Sequence, residues 1–167
     1  MRLVLPVAPS FLLARPLISA GSLSFQEPVM AEPFVRFSCL LHVGSPANAA
    51  RALDAYVALS EDDTRDVSLS QAFRLSIEPD HGPSILWIRD DDGGDPDGVI
   101  RFALHCARLF GLGGLWGFSY AIVADRSEPE AMGGRAHLLD LGAGRVLASV
   151  DATTWLAERI DAGADHA

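Results

Sequence analysis

Lysine is missing from this chain: all 13 of its cations are arginine, set against 22 acids for a formal net charge of -9 over 167 residues. Without lysine there is no Walker-type phosphate loop, no Schiff-base chemistry and no lysine general base. The arginines are scattered and outnumbered. Nucleic-acid binders cluster cations along the phosphate backbone, so this balance argues against one. Cysteine is nearly as scarce. Cys39 and Cys106 stand far apart with no CxxC or Cys/His metal spacing, and they read as reduced, buried small hydrophobes, which fits a reducing compartment.

Long apolar runs are also lacking. The longest lie within residues 1–29, "MRLVLPVAPSFLLARPLISAGSLSFQEPV", where two prolines and Arg15 cut them well short of the roughly 20 residues a bilayer needs, so no membrane partner is expected. Arg2, the broken apolar stretch and "ISA" supply a poor version of each part of a secretory signal. Residues 1–29 are therefore read as a disordered leader or a mis-assigned start ahead of Met30, with an export signal as the alternative. Residues 30–167 form a single expected domain, cytoplasmic unless the first 29 residues act as a signal. A hydrophobic share of 49% with 21% charged residues is ample for a core in a domain of this size.

From Phe34 the run "FVRFSCLL" alternates, placing Val35, Phe37, Cys39 and Leu41 on one face of a strand. "GSPANAARALDAYVAL" predicts a helix with Ser45 as cap, Pro46 at the first helical position and Leu53, Tyr56 and Val57 as its apolar stripe. "SQAFRLSIE" alternates as a strand with Phe73, Leu75 and Ile77 inward, and "PDHGP" turns it into "SILWIR", an inner strand apolar on both faces. A second helix carries Val99, Phe102, Ala103, Cys106 and Phe110 on one side and ends at Gly111. "LWGFSYAIVAD" is a strand, "RAHLLDL" and "RVLASV" a hairpin across "GAG", "DATTWLAERI" a short final helix and "DAGADHA" a loose tail.

The order strand, helix, strand, strand, helix, strand predicts an α+β fold with an antiparallel or mixed sheet. Its expected core is a split βαβ, ferredoxin-like βαββαβ unit, followed by the C-terminal hairpin and short helix.

The stretch "RDDDGGDPDGVIRFALHC" crowds five aspartates into eight positions. An EF-hand needs ligands at loop positions 1, 3 and 5, glycine at 6 and glutamate at 12. Starting at Asp90 or at Asp91, the spacing fails. A helix start explains Asp95 as cap, Pro96 at the first helical position and Asp97 just inside, where negative charge meets unpaired amides and the positive end of the helix dipole. Asp90, Asp91 and Asp92 are left over. With Asp95 they are the candidate divalent-metal ligands, with His81 or His137 as nitrogen donors. Asp90, Asp91 and Asp92 are equally candidates for contact with a basic partner protein.

Trp116, Phe118 and Tyr120, with Ile122, share one face of their strand. They are either packed under a helix or the final hairpin, or exposed as a protein-binding patch. The glycines of "GLGGLWG" close a helix and enter a strand, the reverse of a dinucleotide-binding loop, so no cofactor is expected. No catalytic set is assembled either: Cys39 and His42, His105 and Cys106, and His137 and Asp140 each diverge to different faces.

The segment "LWGFSYAIVADRSEPEAMGGRAHLLDLGAGRVL" resembles small acidic proteins of bacterial plasmids and integrative elements, in which a W-G-F strand is followed by a glycine pair and an "AH-L-DL" strand. The resemblance spans about the last half of the chain and implies no activity. The leading expectation is a non-enzymatic binding or accessory module that meets a protein partner. A divalent-metal-binding domain or metal-assisted hydrolase using the loop from Asp90 to Asp97 is the alternative, and a structural subunit of a homo-oligomer a third reading.

Overall fold

A computed structural model describes residues 34–61, 69–91, 93–124 and 132–164, which belong to a compact unit that starts at Ala31. The reading of residues 1–29, and with it Asp92, lies outside the described residues.

The fold is mixed α+β with antiparallel sheets. The first alternating run is cut in two at Phe37, into β1 (Phe34–Arg36) and β2 (Ser38–His42). Helix α1 (Pro46–Ser60) follows, then a single helical turn α2 (Leu69–Ala72), β3 (Arg74–Ser76), a 3-10 turn (Pro79–His81), β4 (Ile85–Arg89) and helix α3 (Pro96–Phe110). The chain closes with β5 (Leu115–Val123), β6 (Gly133–Asp140), β7 (Arg145–Asp151) and α4 (Ala152–Ala164). One sheet runs β1-β5-β6-β7 and the other β2-β4-β3, with every pairing antiparallel.

Local chemistry fixes the helix ends. Ser45 accepts the Asn48 amide and Pro46 opens α1, while Asp95 accepts the Asp97 and Gly98 amides and Pro96 opens α3. Each cap is worth about 1 kcal/mol. At the far end of α3, Gly111 sits at φ 65°, a left-handed conformation that glycine adopts without strain.

Beyond the split at Phe37, Val57, expected in the apolar stripe of α1, is 54% exposed, and Ala49 and Ala52 are buried in its place. Two further elements differ from the sequence reading. Residues 70–72, expected in a strand, belong to α2, because Leu69 and Ala72 stand three apart, both bury fully, and the Phe73 amide closes the turn on the Leu69 carbonyl. Helix α4 runs on through residues 161–164, expected in the loose tail: Ala162 and Ala164, the best helix formers, carry it past Gly163.

The core lies between the three-stranded sheet and α1 to α3. Leu41, Leu86 and Ile88 meet Val99, Phe102, Ala103 and Cys106 there, all with 1% exposure or less. Tyr56, Phe73 and Phe102 form a ring cluster with centroids 5.2 to 5.9 Å apart.

Candidate functional site

The aspartate loop splints the place where the sheet divides. At Phe37 the strand leaves β5 and passes to β4, which would strand the backbone groups of that residue. Asp90 takes both: its backbone amide donates to the Phe37 carbonyl at 3.1 Å, and its carboxylate accepts the Phe37 amide at 2.7 Å. The other carboxylate oxygen pairs with Arg36 at 2.8 Å, and the side chain is only 11% exposed. Gly94 continues the splint by donating to the Val35 carbonyl, and a Cβ on Gly94 would run into the Phe37 ring at 2.2 Å.

The neighbouring acids are engaged as well. Asp91 pairs with Arg74 at 2.6 Å and raises that guanidinium's pKa, chiefly through the hydrogen bond. Asp95 caps α3 and also meets Arg101 at 3.2 Å, while its backbone amide donates to the Ala72 carbonyl. Each of these three carboxylates faces an arginine, a backbone amide or both, which is the environment of a structural ion pair or cap. Among the described residues no three His, Cys, Asp or Glu side chains converge as a metal site.

The aromatic strand faces inward. Phe118 and Tyr120 are buried and Trp116 is half-buried. Their rings stack in a row at 5.5 and 6.0 Å that His137 extends at 5.6 Å, and Phe37 meets Phe118 edge-on. Trp116 acts as a second splint, since its indole N–H donates to the Leu40 carbonyl at 2.8 Å, on the stretch of β2 that β5 no longer pairs.

His137 has neighbours at both ring nitrogens, Ser149 Oγ at 2.7 Å from Nδ1 and Tyr120 Oη at 3.4 Å from Nε2. That chain ties β5, β6 and β7 together and leaves neither nitrogen turned toward a substrate. His81 packs edge-on against Trp87, which also has the Arg89 guanidinium 4.0 Å from its ring and donates its indole N–H to Ser38 Oγ at 2.8 Å. Burial lifts both thiols to about 12, so Cys39 and Cys106 stay protonated and unreactive at neutral pH.

The surface left open is at the other end of the molecule. Strand β7 is the last strand of its sheet, and Val146, Leu147 and Val150 are all exposed on it. Helix α4 leans on β6, with Ala152 and Thr153 over Gly134 and Gly133, so the outer edge of β7 stays uncovered among the described residues. Beyond that contact α4 stands clear: Trp155, Leu156 and Ile160 are 51%, 53% and 62% exposed. Alongside lies a groove of about 540 Å³ on the sheet face opposite the aromatic row, lined by Arg36, Ser119, Ala121, Ala136 and Val150.

The sequence reading singled out neither β7 nor α4 as a contact surface. The signal was present: Trp155, Leu156 and Ile160 repeat at helical spacing in the sequence of α4.

No family model matches the chain, and no match is found among the curated proteins or the solved structures. Among the described residues no helix is long and apolar enough to cross a membrane.

Proposed function

We propose that this protein is a non-enzymatic binding module whose contact surface is formed by β7 and α4. The observation that carries the reading is the exposure of Trp155, Leu156 and Ile160 together with Val146, Leu147 and Val150. Monomers rarely show contiguous apolar patches beyond about 300–600 Å², and larger ones mark protein contacts. Tryptophan is, in addition, a frequent anchor of such contacts.

The acidic loop supports the reading by what its carboxylates already do. Asp90, Asp91 and Asp95 serve the sheet division, Arg74 and the α3 cap, so the metal-binding alternative gains no support from them. The antiparallel order of the strands, β5 beside β1, β2 beside β4 and β4 beside β3, supports a split βαβ core to which β6, β7 and α4 are added as the binding element. Two unpaired thiols favour an intracellular setting.

The test is affinity capture with the tagged chain at moderate and at high salt, beside the double variant Trp155→Asp, Ile160→Asp. An apolar contact is expected to survive high salt and to vanish in the variant. Loss at high salt without sensitivity to α4 would move the contact to the acidic surface instead.

A further inference from the structure

We infer that the occupant of this surface is a second copy of the chain, joined edge to edge through β7 in an antiparallel pair about a two-fold axis near Ala148. The inference rests on the binding reading above and names its partner.

Three observations point to self-pairing. The first is the contrast between the two free edges. Strand β3 has only three residues, carries Arg74 and is fixed by the Arg74–Asp91 ion pair, which are common devices against edge pairing. Strand β7 has seven residues, with no charge between its ends and no proline, and its one irregularity, opposite Leu138 and Leu139, adds twist without adding a charge. Its outer amides and carbonyls, which no other described strand pairs, form a template for another strand.

The second observation is charge complementarity. The sequence RVLASVD begins with a cation and ends with an anion. An antiparallel copy sets Arg145 beside the partner's Asp151 at both ends of the pair, whereas a parallel copy sets like beside like. Asp151 keeps its 2.7 Å bond to Arg135 and still leaves a third of its side chain open. The rest of the surface adds Glu158, Arg159 and Asp161, so two cations face three anions across β7 and α4, in a chain whose net charge is -9. A basic partner finds little to attract it here, and a second copy little to repel it.

The third observation is size. Seven large apolar side chains, six on β7 and α4 and neighbouring Leu138, are each 38–62% exposed, enough to form the centre of an interface to which each partner gives ~800 Å². A two-fold axis uses the same surface on both copies, so one patch provides both sides of the contact and the assembly closes at two.

Cysteine cross-linking of the full chain with light-scattering mass tests this. Residues opposite each other in an antiparallel pair have Cα atoms about 4.5–5.5 Å apart, within disulfide range. Ala148→Cys is therefore expected to form a linked dimer under mild oxidation. Arg145→Cys is expected not to link to itself, because six residues at about 3.3 Å each separate it from the partner's Arg145. The wild type, with buried Cys106 and half-buried Cys39, is the control. The double variant Leu147→Lys, Val150→Lys is expected to be monomeric with an unchanged circular dichroism spectrum.

Self-linking of Arg145→Cys as readily as Ala148→Cys would overturn the antiparallel pair. A dimer that survives both lysines would place the interface elsewhere. A wild-type monomer at the highest soluble concentration would overturn self-pairing. If capture by that monomer still depends on Trp155 and Ile160, the binding reading stands with a different partner. If it does not, both readings fall.

Discussion

The two ends of this molecule treat apolar side chains in opposite ways. Under α1 to α3, the three-stranded sheet buries Leu41, Leu86 and Ile88 completely, and every helix that follows a strand folds back to cover it. At the other end β7 and α4 carry residues of the same types, yet among residues 145–162 none of the described side chains is buried. Composition does not separate the two regions, since Val, Leu, Ile and Ala dominate both. What separates them is the supply of covering elements: α4 is the last described one, and it leans on two glycines of β6 without reaching the outer edge of β7. Apolar surface of this kind contributes stability only when something else removes it from water.

Substitutions should therefore cost most at the covered end. Phe102→Ala, in the ring cluster with Tyr56 and Phe73, should cost about 3–5 kcal/mol, because it leaves a cavity in a close-packed interior. Denaturant unfolding would show it. Asp90→Ala should cost about 1–3 kcal/mol by leaving the Phe37 amide without an acceptor beside the core. Asp95→Ala should cost about 1 kcal/mol through the lost cap on α3. If Asp90→Ala proved the cheaper of the two, the splint at the sheet division would be less important than its geometry implies. Ile160→Asp, measured in dilute protein, should change stability by no more than about 0.5 kcal/mol, as expected for a side chain already facing water. A cost near that of Phe102→Ala would mean that α4 is packed after all.

Acid should act locally at the start of α4. The Thr154 amide and then Arg135 hold the Asp151 carboxyl below its ordinary range. A depressed folded-state pKa contributes stability above the ordinary carboxylate value and loses it as pH falls through the folded value. The start of α4 should therefore loosen below pH ~4, at the low end of the carboxylate range. Hydrogen exchange at the Thr153 and Thr154 amides would report it. Uniform loss of protection across α3 and α4 together would contradict a local effect.

Much of this arrangement was legible in the residues themselves. Caps and prolines announce α1 and α3, and strict alternation announces β5 with Trp116, Phe118, Tyr120 and Ile122 on one face. Three features were not legible, two of them because they depend on residues far apart in sequence. The strand from Phe34 to His42 alternates without a break, so nothing local reveals that it serves two sheets. The role of Asp90 follows only once Phe37, 53 positions earlier, lies beside it. The α2 turn was read as the start of an alternating run, because a single turn is too short for the helical spacing of Leu69 and Ala72 to stand out. The apolar stripe of α4 was legible but its openness was not: such a stripe looks the same in a core and in an interface, and only the tertiary fold shows which.

The most direct measurement is the molar mass of the full chain in solution, by light scattering across a dilution series, beside the Leu147→Lys, Val150→Lys variant. The account predicts twice the chain mass for the wild type, falling to one chain mass on dilution, and a single chain mass for the folded variant throughout. A wild type that stays at one chain mass at every concentration would contradict it.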